Sequence, residues 1–501
     1  MKKSLLWLIL LSICVTMVLS FSFSGCKTGV TEEEVVKEEV PAEEPSGEEE
    51  AAEEPSEGEL PRVLTMPEQI AGGREVTITV GDVPPESQPA KFKFWQEQVA
   101  RFEKMYPNVT VEGTDYVYSP DSFPPMLAAG QEPTLFLVYL TDPGMMIRQG
   151  VCADLTKIFD EQGLRDVFNP TLIDAVSQDG KIYGIPWNAY SMGLVYNINM
   201  FEAAGIDGPP ETWDEFVTAA DKLTDRDAGV AGFAMCTGEV HQAGWHTTVL
   251  AFDYAGFKTE DVAIEQDDGT YKAGFNNDAM LSTLNFIKDL RWKYDVLPLE
   301  NLVWDTNNIE VALGRAAMSL FAGDCLKWIM ENYPEVDMNQ FGYAPLPVGP
   351  DGKITSLGGG NIFMVSSRAT EDQIEAAAYF RLWTYLDPDE IIANFEAGKE
   401  DPTVVVGTPL LPTFVGEFQE AYEAVEAKYA NMPVENYKPF RDAMKEGKIV
   451  IASEGQVAFQ EYYALLGEIV STILVDENAD VAALLENAAN NYQTGVLDLL
   501  K

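Results

Sequence analysis

The sequence predicts an α/β protein made of two lobes. The chain has 501 residues, and the part from about residue 61 onward has a globular composition. That length exceeds what one hydrophobic core usually serves. Within it a β-branched run at 76–80 is followed by apolar residues at helical spacing over 94–105 and by a second strand pattern at 109–111. A β-α-β order of this kind favours parallel strands joined by a crossover helix, and we therefore expect sheets flanked by helices.

The N-terminal segment has the pattern of an export signal. Lys2 and Lys3 precede an apolar run over 5–19, and small residues follow it up to Cys26. The run is shorter than a membrane span requires. The residues before Cys26 resemble the lipobox of bacterial lipoproteins, which implies a signal peptide of 1–25 and lipid attachment of Cys26 to a membrane surface. An ordinary cleaved signal with an incidental cysteine is the alternative interpretation.

A strongly acidic segment follows. Residues 31–60 contain fourteen Glu and one Lys. Like charges repel and little apolar surface can be buried there, so we predict a disordered spacer, with the lipidated cysteine and linker together covering 26–72. The formal net charge of the whole chain is −48, and most of it lies in the globular body. This balance argues against nucleic acid as a ligand and favours solubility.

The cysteines of the body are Cys152, Cys236 and Cys325. An odd number without metal-like spacing allows at most one disulfide, and buried free thiols are the expected state. Neither a metal nor a cofactor is expected.

Catalysis is not favoured by the residues present. Because the chain has 81 acidic residues, some pair of carboxylates will always be available. The presence of such a pair therefore does not distinguish a glycosidase from a protein that is not an enzyme. His241 and His246 do not have the spacing of a zinc-protease motif, and no nucleophile elbow stands out. We therefore expect a protein that is not an enzyme, with a secreted glycoside hydrolase or a surface adhesin as the less favoured alternatives.

The segment 179–197 is the most informative motif. Asp179-Gly180 predicts a turn into a strand at 181–185, and Pro186 should end that strand because proline cannot donate to the ladder. Residues 187–193 are polar and aromatic within an otherwise apolar region, and a second strand should begin at Leu194. The pattern indicates a chain crossing rather than a core strand.

Three further blocks carry local signals. Thr212 stands three residues before Glu215, which is a capping box at a helix start and makes Trp213 a core residue. Residues 312–328 read as a helix end, a short apolar strand and a Gly-Asp turn that opens a helix. Residues 345–361 contain a Pro-x-Pro-x-Gly loop and a glycine run without the Lys of a phosphate loop.

Together these blocks resemble the bacterial extracellular solute-binding proteins of ABC importers, of the maltose- and oligosaccharide-binding type. The resemblance covers essentially all of 73–501, although Thr134 stands where the family usually has Asp. It implies the two-lobed periplasmic-binding-protein fold of type II. The implied boundaries are 73–187 and 321–413 for the first lobe, 192–318 and 417–501 for the second, and hinge crossings near 188–191, 319–320 and 414–416.

The resemblance also implies where a ligand binds. A sugar has apolar C–H faces and a rim of hydroxyls, which aromatic rings with carboxylate and amide partners complement. The implied ligand-binding residues are Asp82, Tyr139, Thr141, Asp142, Trp187, Asn188, Tyr190, Trp245, Asp324 and Asn361. For each aromatic residue core packing is the alternative role, and for each aspartate a turn or cap.

The resemblance implies that a lipid-anchored monomer outside the cytoplasm captures a carbohydrate and delivers it to permease subunits in the membrane. An oligosaccharide is the form of carbohydrate that the family resemblance implies. A polyamine is the second cargo that these residue types suit, because aromatic boxes with carboxylates also bind ammonium groups. An anionic solute is disfavoured, since the candidate positions carry no Arg or Lys.

Overall fold

The computed structural model describes residues 59–120, 122–455 and 457–500. The predicted signal peptide, Cys26 and most of the predicted acidic linker lie outside the described residues. Among the helices in the described ranges, none is both long and apolar enough to cross a membrane.

Strands and helices alternate along the described chain. The strands are β1 (Val76–Val80), β2 (Val109–Gly113), β3 (Leu135–Tyr139), β4 (Ser177–Gln178), β5 (Lys181–Ile182), β6 (Gly184–Asn197), β7 (Ala263–Glu265), β8 (Tyr271–Ala273), β9 (Met318–Ala322), β10 (Phe341–Ala344), β11 (Ile354–Val365) and β12 (Ile449–Ser453). The α-helices are α1 (Pro89–Met105), α2 (Phe123–Ala129), α3 (Pro143–Arg148), α4 (Thr156–Gln162), α5 (Pro170–Ala175), α6 (Ile198–Ala203), α7 (Trp213–Leu223), α8 (Val240–Ala255), α9 (Asp278–Trp292), α10 (Trp304–Ala312), α11 (Asp324–Asn332), α12 (Glu371–Leu386), α13 (Pro388–Glu400), α14 (Gly416–Tyr429), α15 (Lys438–Lys445), α16 (Phe459–Val475) and α17 (Val481–Gly495).

One mixed sheet connects most of the strands. Its order is β10-β6-β11-β3-β1-β2, with β12 paired to β11 and β9 paired to β6. The predicted opening is confirmed, because β1 and β2 flank α1 and pair in parallel from Val76 opposite Val109. By contrast, β11 runs antiparallel to both β3 and β6. The α/β class predicted from the sequence is therefore the observed one.

Buried apolar side chains form two separate clusters, which define the two lobes. The first lobe takes its core from 60–189 and 362–425, and the second from 192–357 and 432–497. Strands β6 and β11 contribute to both cores. The chain therefore passes between the lobes inside β6, inside β11, and again after α14.

The second and third crossings lie elsewhere than the sequence implied. Residues on both sides of 319–320 belong to the second core, because β9 pairs with the second-lobe half of β6 from Met192 opposite Ala322. Residues 321–357 are therefore second-lobe residues, and β11 makes the passage. Phe414 and Phe418, which flank the predicted crossing at 414–416, both pack in the first core, and the chain leaves that core only after Val425.

The first lobe also begins earlier than expected. Leu60, Leu64 and Ile70, which fall within the predicted linker of 26–72, are buried in the first core. The hydroxyl of Tyr106 donates a hydrogen bond of 2.6 Å to the Pro67 carbonyl and helps to hold this segment in place. Apolar residues rather than acidic ones dominate after Leu60, which is the signal that marks the true boundary.

The prediction that Pro186 ends its strand is wrong. Strand β6 runs without a break from Gly184 to Asn197, and Pro186 stands opposite Ile362 of β11. The register shifts between Asn361 and Ile362, which is a β-bulge. A bulge interrupts the regular ladder, so a residue without an N–H is accommodated there.

Several local predictions are confirmed. The Thr212 hydroxyl accepts a hydrogen bond from the Glu215 backbone N–H at 3.2 Å, and the Thr212 backbone N–H donates one to the Glu215 carboxylate at 3.2 Å, which is the capping box of α7. Trp213 packs edge-on against Phe216, as a core residue should. The cysteines of the body are free and buried; they are Cys152, Cys236 and Cys325.

Helices α8 and α16 pack closely in the second lobe. A Cβ atom on Gly244 of α8 would lie 2.0 Å from the Tyr463 carbonyl oxygen, and one on Gly467 of α16 would lie 2.0 Å from the Val240 carbonyl oxygen. Both contacts are with backbone atoms, which cannot move aside as a side chain can. The two glycines therefore determine how near the helices approach.

Replacement of Gly244 by alanine should destabilise the second lobe. Overpacking against backbone costs about 1–3 kcal/mol, sometimes more. The matched control is Gly495→Ala in α17, where an added Cβ meets nothing within 4 Å, and where alanine should be neutral or stabilise by roughly 0.5–1 kcal/mol. Urea unfolding of both variants measures the difference. Equal stabilities would contradict the close packing described.

Candidate functional site

Strands β6 and β11 approach each other closely where β6 passes between the lobes. A Cβ atom on Gly359 of β11 would lie 2.6 Å from the Tyr190 ring, and one on Gly360 would lie 2.3 Å from the Asn188 carbonyl oxygen. A side chain at Gly360 would press against the backbone of β6, and one at Gly359 would displace the Tyr190 ring. The glycine run of β11 therefore leaves room for the Tyr190 ring at the crossing between the lobes.

The first lobe contributes the residues that follow β3. Thr141 donates a hydrogen bond of 3.1 Å to Asp142, and the Tyr118 hydroxyl also hydrogen-bonds to Asp142. Burial raises the pKa of Asp142 to about 6, and these two hydrogen bonds partly oppose that rise. The ring of Tyr139 stands edge-on to Tyr118 at 4.9 Å and remains 40% exposed, so a ligand can reach it.

The second lobe contributes Trp245 of α8 and Asp324, the first residue of α11. The Trp245 ring stands edge-on to Tyr190, with 6.2 Å between ring centroids. Trp245 Nε1 and Asp324 Oδ1 are both buried, and neither has a hydrogen-bond partner among the described residues. Burial also raises the pKa of Asp324 to about 6. A buried donor and a buried acceptor without partners are unfavourable unless something else binds them.

Glu454, which sequence reasoning missed, lies in the same place. It follows β12 in the second lobe, is 7% exposed, and accepts a hydrogen bond of 2.8 Å from the Tyr463 hydroxyl. Burial raises the pKa of Glu454 to about 8, and the nearby Asp142 raises it further. The available signal was an acidic residue directly after a largely apolar strand.

The electrostatic neighbours of Tyr190 show that these groups converge. Burial raises the pKa of Tyr190 well above its usual value, and the carboxylates of Glu454 and Asp324 add to that rise. The pKa of Tyr139 is raised by burial and then by Asp142 and Asp82. Side chains of both lobes therefore surround one site at the crossing.

Two basic side chains lie near Asp82, at one end of this site. Asp82 follows β1 with a φ of 58°, and its backbone N–H donates to the Tyr116 carbonyl at 2.8 Å. Burial raises the pKa of Asp82, whereas Arg381 and Lys327 lower it. The predicted positions themselves carry no Arg or Lys, but helices α11 and α12 place two basic residues near Asp82.

Arg381 is held by aromatic rings. Its guanidinium carbon lies 4.1 Å from the Phe363 ring centroid and 5.3 Å from that of Trp187. Its Nε and Nη2 atoms are buried without a hydrogen-bond partner in the described ranges, and burial lowers the pKa of Arg381 to about 10. The position inside a largely apolar helix gave no sign of this role.

Three of the predicted ligand-binding residues have structural partners instead. Asn361 donates from its backbone N–H and from Nδ2 to Asn188 Oδ1, each at 3.0 Å, so the two amides join β6 to β11. The Trp187 ring packs edge-on against Phe363, and its carbonyl accepts a hydrogen bond from Tyr385. These residues support the crossing from the first-lobe side.

The two lobes are in contact in this conformation. Gln460 of the second lobe donates a hydrogen bond of 3.3 Å to Thr141 of the first. Lys91 of α1 forms an ion pair of 2.5 Å with Glu331 of α11. The site therefore lies between surfaces that already touch at two places.

A family model described as bacterial extracellular solute-binding protein matches residues 86–384. A binding protein of Brucella abortus (strain 2308) is 24% identical over 303 residues, which are 56% of this chain and 65% of that protein. The chain thus spans slightly less than two thirds of that relative.

Solved structures show the same fold. A solute-binding protein from Thermotoga lettingae with bound α-D-tagatose has a TM-score of 0.63 and 22% identity, covering 83% of this chain and 98% of that one. T. maritima MalE3 with bound maltose has a TM-score of 0.65 and 19% identity, covering 84% and 100%. The chain belongs to the bacterial extracellular solute-binding protein family.

The pKa of Glu454 predicts a pH-dependent effect of Glu454→Gln. The folded residue keeps its proton up to about pH 8, whereas an unfolded glutamate loses it near 4.5. The folded state of the parent chain therefore loses stability relative to the unfolded state as pH rises through this interval. Because glutamine does not titrate, the variant should become steadily more stable than the parent between these pH values.

Thermal unfolding at several pH values measures this difference. Glu468→Gln, at an exposed position of α16, is the control because it makes the same substitution outside the buried site. A stability difference for Glu454→Gln that does not change with pH would show that Glu454 is not buried as described.

Proposed function

We propose that the protein captures a carbohydrate between its two lobes and delivers it to the membrane subunits of an ABC importer. The observation that carries this proposal is the pair of buried atoms without partners, Trp245 Nε1 and Asp324 Oδ1, beside the rings of Tyr190 and Trp245. One atom donates and the other accepts, which is what a sugar hydroxyl requires, since it can do both.

The ring arrangement supports the same class of ligand. Aromatic faces complement the C–H faces of a pyranose, and Tyr139 and Tyr190 offer such rings from the first lobe and from the crossing. The T. lettingae and T. maritima structures hold tagatose and maltose respectively. These ligands belong to those proteins, and they support a sugar as the cargo of this chain.

Hinge motion is the proposed means of capture. Strands β6 and β11 enter both cores, so a bend at 188–191 and at the glycine run 358–360 would move one lobe against the other. Ligand contacts with both lobes need to shift the open–closed equilibrium by only a few kcal/mol. The ion pair of Lys91 with Glu331 would add to the closed state.

The remaining features complete the proposal. Attachment through Cys26 and an acidic spacer would keep a monomer near the permease and outside the cytoplasm. The function is binding without chemistry. A polyamine is the second candidate cargo, because the site also brings the buried carboxylates of Asp142 and Glu454 next to tyrosine rings.

Neutral oligosaccharides should raise the melting temperature of residues 59–501 in a concentration-dependent way, because a ligand that binds the native state stabilises it. Tyr190→Ala and Trp245→Ala should each abolish this shift, since both rings belong to the site. The ligand should be recovered chemically unchanged.

Matched controls remove rings of the second lobe outside the site. Tyr271 lies in the β7–β8 hairpin, and Trp292 of α9 donates a hydrogen bond to the Ile473 carbonyl. Tyr271→Ala and Trp292→Ala should keep the ligand-induced shift. Cleavage of a glycan would refute the proposal that the protein binds without chemistry. A ligand-induced rise in melting temperature that persists in both Tyr190→Ala and Trp245→Ala would refute the proposed site.

A further inference from the structure

Asp142 and Glu454 come from opposite lobes to the same edge of β11, where Tyr139 pairs with Asn361 and Ser453 pairs with Gly358. Asp142 follows β3 of the first lobe, Glu454 follows β12 of the second, and each is less than a tenth exposed. Their hydrogen-bond donors are neutral: Thr141 and Tyr118 for the first, Tyr463 for the second. Among the described residues no Lys, Arg or His forms an ion pair with either carboxylate.

The surroundings of this pair are also acidic. Glu461, in the first turn of α16, raises the pKa of Asp142, and Glu239, at the start of α8, raises that of Tyr139. His241 pairs with Glu239 at 2.9 Å. The basic residues of the site, Arg381 and Lys327, act on Asp82 instead. One end of the site is therefore charge-balanced and the other has carboxylates without a cation.

An ammonium group on the ligand would balance the second end. Two buried carboxylates without a cation repel each other and lose hydration, which is costly unless they are protonated or paired. Charge-assisted hydrogen bonds from an ammonium to both carboxylates would replace that repulsion with attraction. The tyrosine rings around them also favour a cation. Because each lobe supplies one carboxylate, the same group would hold the lobes together.

We propose that the cargo is an amino sugar whose protonated amine binds between Asp142 and Glu454. The inference rests on the proposed function, since it names the chemical class of the captured carbohydrate. Two independent observations carry it. The two buried acids without a cation can accept hydrogen bonds from an ammonium, and the unpartnered Trp245 Nε1 and Asp324 Oδ1 can bind hydroxyl groups. A simple polyamine satisfies the first observation but not the second.

Titration calorimetry with matched ligands tests the proposal. Each pair has one skeleton and differs in a hydroxyl or an amine: glucose and glucosamine, galactose and galactosamine, cellobiose and the fully deacetylated disaccharide of chitin. Near neutral pH the best amine ligand should bind at least about tenfold more tightly than its hydroxyl partner. If neutral sugars bind but no amine ligand binds more tightly than its hydroxyl partner, the inference fails and the proposed function stands.

Two variants identify the groups responsible. Glu454→Gln and Asp142→Asn should each reduce the ratio between the affinities of the amine ligand and of its hydroxyl partner to below about threefold, with both affinities measured on the same variant. Glu468→Gln, exposed on α16, should preserve the advantage. An unchanged advantage in both site variants would overturn the proposal. Binding of spermidine without binding of any sugar would overturn both the proposal and the proposed function.

Discussion

The antiparallel pairing of β6 with β11 is the constraint on which the rest of the structure depends. Both strands enter both hydrophobic cores, so this one ladder joins the lobes. The two strands can pair at this point because Gly359 and Gly360, which have no side chain, leave room for the Tyr190 ring and the Asn188 carbonyl. The Asn188–Asn361 hydrogen bonds then hold the register beside the bulge. A side chain at Gly360 would push β6 away from β11, and one at Gly359 would displace the Tyr190 ring.

The position of the candidate site follows from this pairing. Strands β3 and β12 lie next to β11, one in each lobe, so the residues after their last positions face the crossing from opposite sides. Glu454 directly follows β12, and Asp142 lies three residues after the end of β3. The site is therefore a product of strand order, and its carboxylates come together although more than three hundred residues separate them along the chain.

Local rules predicted local structure and failed where distant strands decide. The capping box at Thr212, strand β1 and the start of α11 at Asp324 each depend on a few neighbouring residues, and the sequence shows them. The lobe to which 321–357 belongs depends on the pairing of β9 with β6, which no local pattern reveals. The predicted ligand-binding residues came from the family resemblance and stay a prediction, whereas Arg381 and Glu454 sit in ordinary helical and strand-end contexts and were not among them.

The like charges at the crossing connect closure with occupancy. Bringing Asp142 and Glu454 together removes water from two acids, and the raised pKa values, about 6 and about 8, show that their neutral forms are favoured there. A closed and empty site is therefore least costly when at least one acid keeps its proton. A ligand that supplies hydrogen-bond donors to both acids removes that requirement, and by differential binding it shifts the equilibrium toward closure. The acidity of the site thus makes the lobes sensitive to what lies between them.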